Sequence, residues 1–139
     1  MAIFVDTGAF LAFLDRSDEH HSEARELFAK MADSQFGTPF TSDYVFSEAV
    51  TVAYRRTKRK DFALELGRFI LGESSKPLVV MARVVDSTFS SSWNLFQRYA
   101  TRGLSFTDCT SLAMMQERRI GQIASYDADF DGLAERITH

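Results

Sequence analysis

Residues 1–15 read MAIFVDTGAFLAFLD, and two periodicities meet at Asp6. Ala2 to Val5 form a short apolar run, long enough for one strand and too short for a helix. From Gly8 to Leu14 the apolar residues continue at a spacing that a helix accepts. A strand running directly into a helix is the unit from which parallel sheets are assembled. The run carries no basic leader, so it reads as a first strand rather than as a signal peptide.

The rest of the chain repeats this alternation. DEHHSEARELFAKMA places Ala24, Leu27, Phe28 and Met31 on one helical face with charges opposite. FGTPFTSD reads as strand and turn, after which Ser42 or Asp43 can cap a helix through YVFSEAVTVAYRRT. KDFALELGRFILG supplies another helix that ends at Gly72, and GESSKP at 72–77 marks a turn without a domain boundary. PLVVMARVV is the expected third strand. Asp86 or Ser87 opens the next helix, Thr107 opens DCTSLAMMQERR, and GQIAS is a fourth strand ending just before Tyr126-Asp127. Alternating strands and helices predict an α/β domain over residues 1–139, a parallel sheet covered by helices on both faces. Ligands in such sheets bind beyond the carboxyl ends of the strands, where strand order reverses. Asp6 follows the first strand and Asp127 the fourth, so both are expected at that edge.

Composition narrows the options. At 139 residues, 45% hydrophobic and 25% charged, the chain has the size and balance of one globular domain. The single cysteine, Cys109, excludes an internal disulfide, and no histidine or second cysteine lies at zinc-ligand spacing, which points to a reducing, cytoplasmic setting. No run approaches the ~20 apolar residues of a membrane span. A net charge of -3 provides no global basic field, so nucleic acid must be held by a local patch or through cations.

Each acid taken singly has a modest explanation, because aspartate at a strand-to-helix junction caps free helix-start amides. Glu48 differs. Val45, Ala49 and Val52 form an apolar stripe, and Glu48 falls at its edge, turned toward the covered side with no basic residue one turn away. A carboxylate nearly facing a core needs a partner. A cation shared with other carboxylates is one, and hard divalent metals select oxygen ligands.

IFVDTGAFLAFLD, TSDYVFSEAVTVA and LSFTDCTSLAMMQERRIGQIASYDADFDGL resemble the three signature regions of the PIN-domain family, and in particular its VapC-type toxin ribonucleases. The family's acidic pattern falls on Asp6, Glu48, Thr107-Asp108 and Asp127, and the resemblance spans residues 2 to 133, with no motif between about 58 and 100. It implies a three-layer α/β/α sandwich around a parallel sheet of four or five strands, often dimeric. It also implies one or two Mg²⁺ or Mn²⁺ ions. Four clustered carboxylates would raise one another's proton affinity, and a divalent ion restores their charge. Such an ion can activate water against a phosphodiester. On this reading Asp6 and Asp108 are direct ligands, while Glu48 and Asp127 act through water or complete a second site. Thr107 either orients water or an Asp108 oxygen, or caps its helix. Asp129 competes with Asp127, but the pattern favours the residue directly after the strand.

Three functions follow in order: an endoribonuclease toxin blocked by a small antitoxin, a PIN nuclease of RNA processing or decay, and a non-catalytic binding module of the same fold. The basic run YRRTKRKD, with Arg55 and Arg56 at its head, either grips RNA phosphates or reflects a helix C-terminus favouring cations. Trp93, beside Phe89, Leu95 and Phe96, reads as packed in the core rather than stacking a base. His20, His21 and His139 read as solvated surface, and Cys109 as a small buried filler. No Gly-x-Ser-x-Gly elbow supports serine hydrolase chemistry.

Overall fold

The computed structural model describes all 139 residues. In chain order the elements are β1 (Ala2–Val5), α1 (Thr7–Leu14), α2 (His21–Ala32), β2 (Thr38–Ser42), α3 (Asp43–Thr57), α4 (Lys60–Leu71), β3 (Val80–Ala82), α5 (Asp86–Tyr99), α6 (Phe106–Arg118), β4 (Gln122–Ala124) and β5 (Glu135–Ile137). Short 3₁₀ turns lie at Ala100–Arg102 and Ala128–Phe130. All four strand pairings are parallel, in the order β3-β2-β1-β4-β5. From β1 the chain moves outward to β2 and β3, then returns past β1 to β4. Right-handed crossovers put α1 to α4 on one face and α5 and α6 on the other, giving the expected three layers. Strand order therefore reverses between β1 and β4, and a crevice opens at their carboxyl ends. No helix is long and apolar enough to cross a membrane.

Ile3, Phe4 and Val5 are completely buried, as an apolar run covered on both faces requires. On the α1–α4 side, Phe13 and Phe28 stack with centroids 4.3 Å apart, Phe10 meets Phe28 edge-on at 5.8 Å, and Phe69 reaches in from α4 to 5.2 Å from Phe13. Phe28 belongs to the expected buried face of α2, together with Ala24, Leu27 and Met31. Cys109 is buried as expected.

Several boundaries differ from the sequence reading. The third strand is confined to Val80–Ala82 because its partner β2 ends at Ser42, paired with Ala82, and turns into α3. The next free amide but one, Val84 N–H, donates instead to the Asp43 side chain at 3.0 Å. Ser42 caps α3 by accepting from Val45 N–H at 3.1 Å. Helix α5 starts at Asp86 without any side-chain cap. Helix α6 opens at Ser105, not Thr107: Ser105 and Asp108 form a reciprocal capping box, which places Thr107 inside the first turn. Trp93 is not core. It is 53% exposed, because α5 turns Thr88 and Ser92 inward and the next residue points a hundred degrees away from that face.

Gly37 enters β2 with φ +76°, and a Cβ there would lie 2.0 Å from the Met1 carbonyl oxygen. Gly121 has open space around it and ordinary φ. Gly37→Ala should lose about 1–3 kcal/mol from backbone conformation alone, with more from the displaced Met1. Gly121→Ala should be nearly neutral in the same urea titration, and equal losses would refute the local account.

Candidate active site

Four sequence-distant segments bring their acids to the β1/β4 crevice. Asp6 ends β1 and donates its N–H to the Ala124 carbonyl at 3.1 Å, so the residue after β1 is tied to the end of β4. Glu48 comes from the middle of α3, Asp108 from the first turn of α6, and Asp127 from the turn after β4. All four border one cleft of about 450 Å³. Asp129 does not border it. Its backbone N–H donates to Asp127 Oδ1 at 2.9 Å while its carboxylate lies against Gly103.

Each carboxylate is anchored through one oxygen by a donor that follows from local structure. Thr7 Oγ1 donates to Glu48 Oε2 at 2.7 Å, and Ser125 Oγ donates to Asp6 Oδ2 at 2.8 Å. Ser105 N–H donates to Asp108 Oδ2 at 2.9 Å, within the capping box. Ser125 Oγ also accepts from Asp127 N–H at 3.1 Å, so one fully buried hydroxyl bridges two of the acids. Thr7, Ser105 and Ser125 were not singled out from the sequence as site residues. The available signal was a hydroxyl one, two or three positions from each aspartate.

Burial and mutual repulsion dominate the electrostatics. Asp6 is 5% exposed, and its carboxyl is pushed up to about 7 by burial first and the Asp108 charge second, against hydrogen bonds from Ser125 and Thr7. Asp108 is pushed up to about 6, again by burial, with Asp127 and Glu48 adding to it and Ser105 opposing. Asp6 thus senses Asp108 and Glu48, and Asp108 senses Asp127 and Glu48. None of them forms an ion pair with a Lys, Arg or His. An all-oxygen donor set without an internal cation suits a hard divalent ion. No three of the groups are already drawn into a closed metal cluster.

The basic run divides in two. Arg56 faces the cleft and is held by Asp18 at 2.9 Å and Asp15 at 3.7 Å, clamping the α1–α2 connection. Arg55 has no carboxylate partner and borders a second groove of about 490 Å³, which shares Glu48 and Val52 with the acidic cleft. Thr107 and Tyr44 line that groove. The α3 helix stops at Lys58 in a left-handed conformation, φ 57°, so the charges beyond it belong to the turn into α4. Two of the three histidines correct the sequence reading, while His139 is exposed as expected. His20 borders the cleft and stacks on Tyr126 at 4.3 Å, and His21 Nδ1 lies 2.8 Å from the Ala12 carbonyl.

The raised carboxyls of Asp6 and Asp108 set a direction for pH dependence in metal-free protein. Between the ordinary carboxylate range and about 7 the folded chain binds more protons than the unfolded chain. Their stabilising contribution is therefore complete below pH ~4 and is lost as pH rises through 6 to 7. The melting temperature in EDTA should decline by several degrees over that window, and Asp6→Asn should flatten much of the decline. Identical profiles for the two proteins would show that Asp6 titrates normally.

A PIN domain family model matches residues 3–136. The VapC ribonuclease of Archaeoglobus fulgidus is 24% identical over 132 residues, covering 94% of this chain and 80% of that protein. The 23S rRNA-specific endonuclease VapC20 of Mycobacterium tuberculosis is 29% identical over 131 residues, covering 92% and 91%. The crystal structure of that VapC20, described as a sarcin-ricin loop cleaving toxin, superposes with a TM-score of 0.80 at 28% identity over 92% of each chain. VapBC2 from Rickettsia felis, bound to a DNA fragment from its promoter, shares the fold, with a TM-score of 0.66 at 13% identity over 99% of this chain and 98% of that one. With a parallel sheet flanked by helices and a family match that runs nearly end to end, this chain belongs to the PIN domain family.

Proposed function

We propose that this chain is a metal-dependent endoribonuclease that hydrolyses RNA phosphodiester bonds as the toxin of a VapBC-type toxin-antitoxin pair, residues 1–139 acting as one domain. The observation that carries the reading is the burial of Asp6 and Asp108 in one cleft with Glu48 and Asp127, without any ion pair to neutralise them. The names of the VapC relatives support RNA as substrate and a toxin's role, and a cytoplasmic location goes with both.

Asp6 and Asp108 would hold the ion directly, and Glu48 and Asp127 through water or at a second position. When bound, one or two Mg²⁺ or Mn²⁺ ions supply charge neutralisation and an activated water for attack on phosphorus. Thr7, Ser105 and Ser125 keep the carboxylate oxygens aimed, which lowers the reorganisation needed at reaction. Thr107, bordering the groove beside Glu48, is assigned to orient water. Arg55, free of internal carboxylates, is assigned to an RNA phosphate, whereas Arg56 acts on substrate through the loop it clamps. An antitoxin segment is the expected blocker of the cleft. The exposed apolar side chains Val85, just before α5, and Phe89 and Trp93 on it suit a homodimer, which sedimentation would test and a strictly monomeric chain would exclude.

On 23S rRNA, cleavage should require Mg²⁺ or Mn²⁺ and vanish in EDTA. Asp6→Asn and Asp108→Asn should each lower turnover on the order of 100-fold or more while RNA binding largely persists. Growth arrest on expression should depend on Asp6 and be relieved by the cognate antitoxin. Wild-type rates in both variants would sink the mechanism.

Arg55→Ala should weaken RNA binding and reduce its salt slope by about one phosphate contact without changing the melting temperature. Arg56→Ala should lower the melting temperature slightly, since its partly exposed ion pairs contribute little, about 1 kcal/mol or less. The reverse pattern would interchange the two roles.

A further inference from the structure

The acidic cleft has one wall that the chemistry above does not use. His20, in the α1–α2 connection, and Tyr126, between β4 and Asp127, stack with ring centroids 4.3 Å apart and planes 1° from parallel, and both border the cleft. Apart from these rings, Val52 is the only apolar side chain lining it. Six carboxylates border the same space: Asp6, Asp18, Glu19, Glu48, Asp108 and Asp127. A phosphate approaching this wall meets acids and no free cation, since Arg56 is already paired with Asp18. A neutral aromatic face meets no such repulsion.

The geometry leaves one surface of the imidazole for a ligand. Its in-plane nitrogens lean on Glu19 and Glu23, Nε2 at 3.4 Å and Nδ1 at 3.5 Å. One ring face is covered by Tyr126, yet the side chain is still 35% exposed. That exposed part of the ring is what a ligand in the cleft can reach. Both rings are also braced. His20 N–H donates to Asp18 Oδ1 at 2.8 Å, Asp18 is clamped by Arg56, and Tyr126 Oη donates to the Thr138 carbonyl at 3.0 Å. A platform already held in place loses little freedom when something stacks on it. In sequence Tyr126 stands between Ser125, which holds Asp6, and Asp127 itself, so the platform adjoins the reacting end of the cleft.

We propose that the His20–Tyr126 pair is a stacking platform for an unpaired nucleobase of RNA, one flanking the phosphate that the acidic quartet addresses. This rests on the reading of the chain as a ribonuclease. Proteins recognise single-stranded RNA largely by stacking splayed bases on aromatic and histidine rings, and such stacking tolerates any base.

The test uses the full chain in EDTA and a short fluorescent hairpin RNA with a single-stranded loop, compared with the same hairpin made abasic in the loop. Wild type should bind the abasic hairpin about tenfold more weakly. His20→Ala should lose about tenfold on the intact hairpin and almost nothing on the abasic one, the non-additivity expected of two groups in contact. His20→Phe, which keeps a ring without nitrogens, should restore binding, and His20→Gln should not. An equal loss on both hairpins, or a Phe variant as weak as Ala, would overturn the platform in favour of a charge contact or a purely structural stack. If His20→Ala melts far below wild type, the abasic comparison on wild-type protein decides alone, and equal affinity for the two hairpins overturns the proposal. Wild type that binds neither hairpin, nor cleaves 23S rRNA with Mn²⁺, removes the ribonuclease reading itself and the platform with it. Cleavage that survives while base removal has no effect removes only the platform.

Discussion

Holding Asp6 and Asp108 beside each other out of water is unfavourable, and no cation within the chain offsets it. Burial raises both carboxyls; the Asp108 charge raises Asp6 further, and the Asp127 and Glu48 charges raise Asp108. The arrangement persists because the sheet imposes it. Asp6 is fixed by β1 pairing with β4, and its amide is spent on Ala124. Asp108 is fixed by the capping box that starts α6. A pair placed by backbone geometry cannot relax apart without disturbing the strands or the helix start.

The hydroxyls around the quartet make this tension tolerable while keeping the acids aimed. Ser125 is the most economical of them, donating to Asp6 and accepting from the Asp127 amide with one oxygen. Thr7 reaches Glu48 across a sequence gap of 41 residues, so α3 is positioned against the end of β1 by a hydrogen bond within the site itself. Each donor satisfies a polar atom that burial would otherwise leave costly. The same contacts restrict the carboxylates to few orientations, the preorganisation that electrostatic catalysis needs.

Beyond the acids, the cleft separates into parts of different character. Arg56 is consumed by Asp18 and Asp15 and serves to close the α1–α2 connection over one side. Arg55, its sequence neighbour, borders another groove and is paired with no carboxylate. Adjacent residues on a helix point about a hundred degrees apart, and that rotation gives two identical side chains unrelated surroundings. The same rotation exposes Trp93 while Ser92 is buried.

Strong local patterns were readable in the amino-acid order. The apolar run at Ala2–Val5, the buried face of α2, the Ser42 cap and the Gly72 stop all depend on near neighbours, and they imply the parallel three-layer sheet. Asp6 and Asp127, each directly after a strand, were legible as converging because topology alone carries the ends of β1 and β4 to one edge, whereas Glu48 and Asp108 joined them only through the resemblance to the PIN-domain pattern. Shorter-range competition was not legible. Whether Ser105 or Thr107 starts α6, and how far β3 extends before Asp43 takes the Val84 amide, turn on which of several adequate acceptors lies nearer in space. Least visible were His20 and Tyr126, 106 residues apart along the chain and joined only by a ring stack. Periodicity describes elements, and a contact between a loop and the end of a distant strand has no period; only the packed chain could place those two rings on one wall.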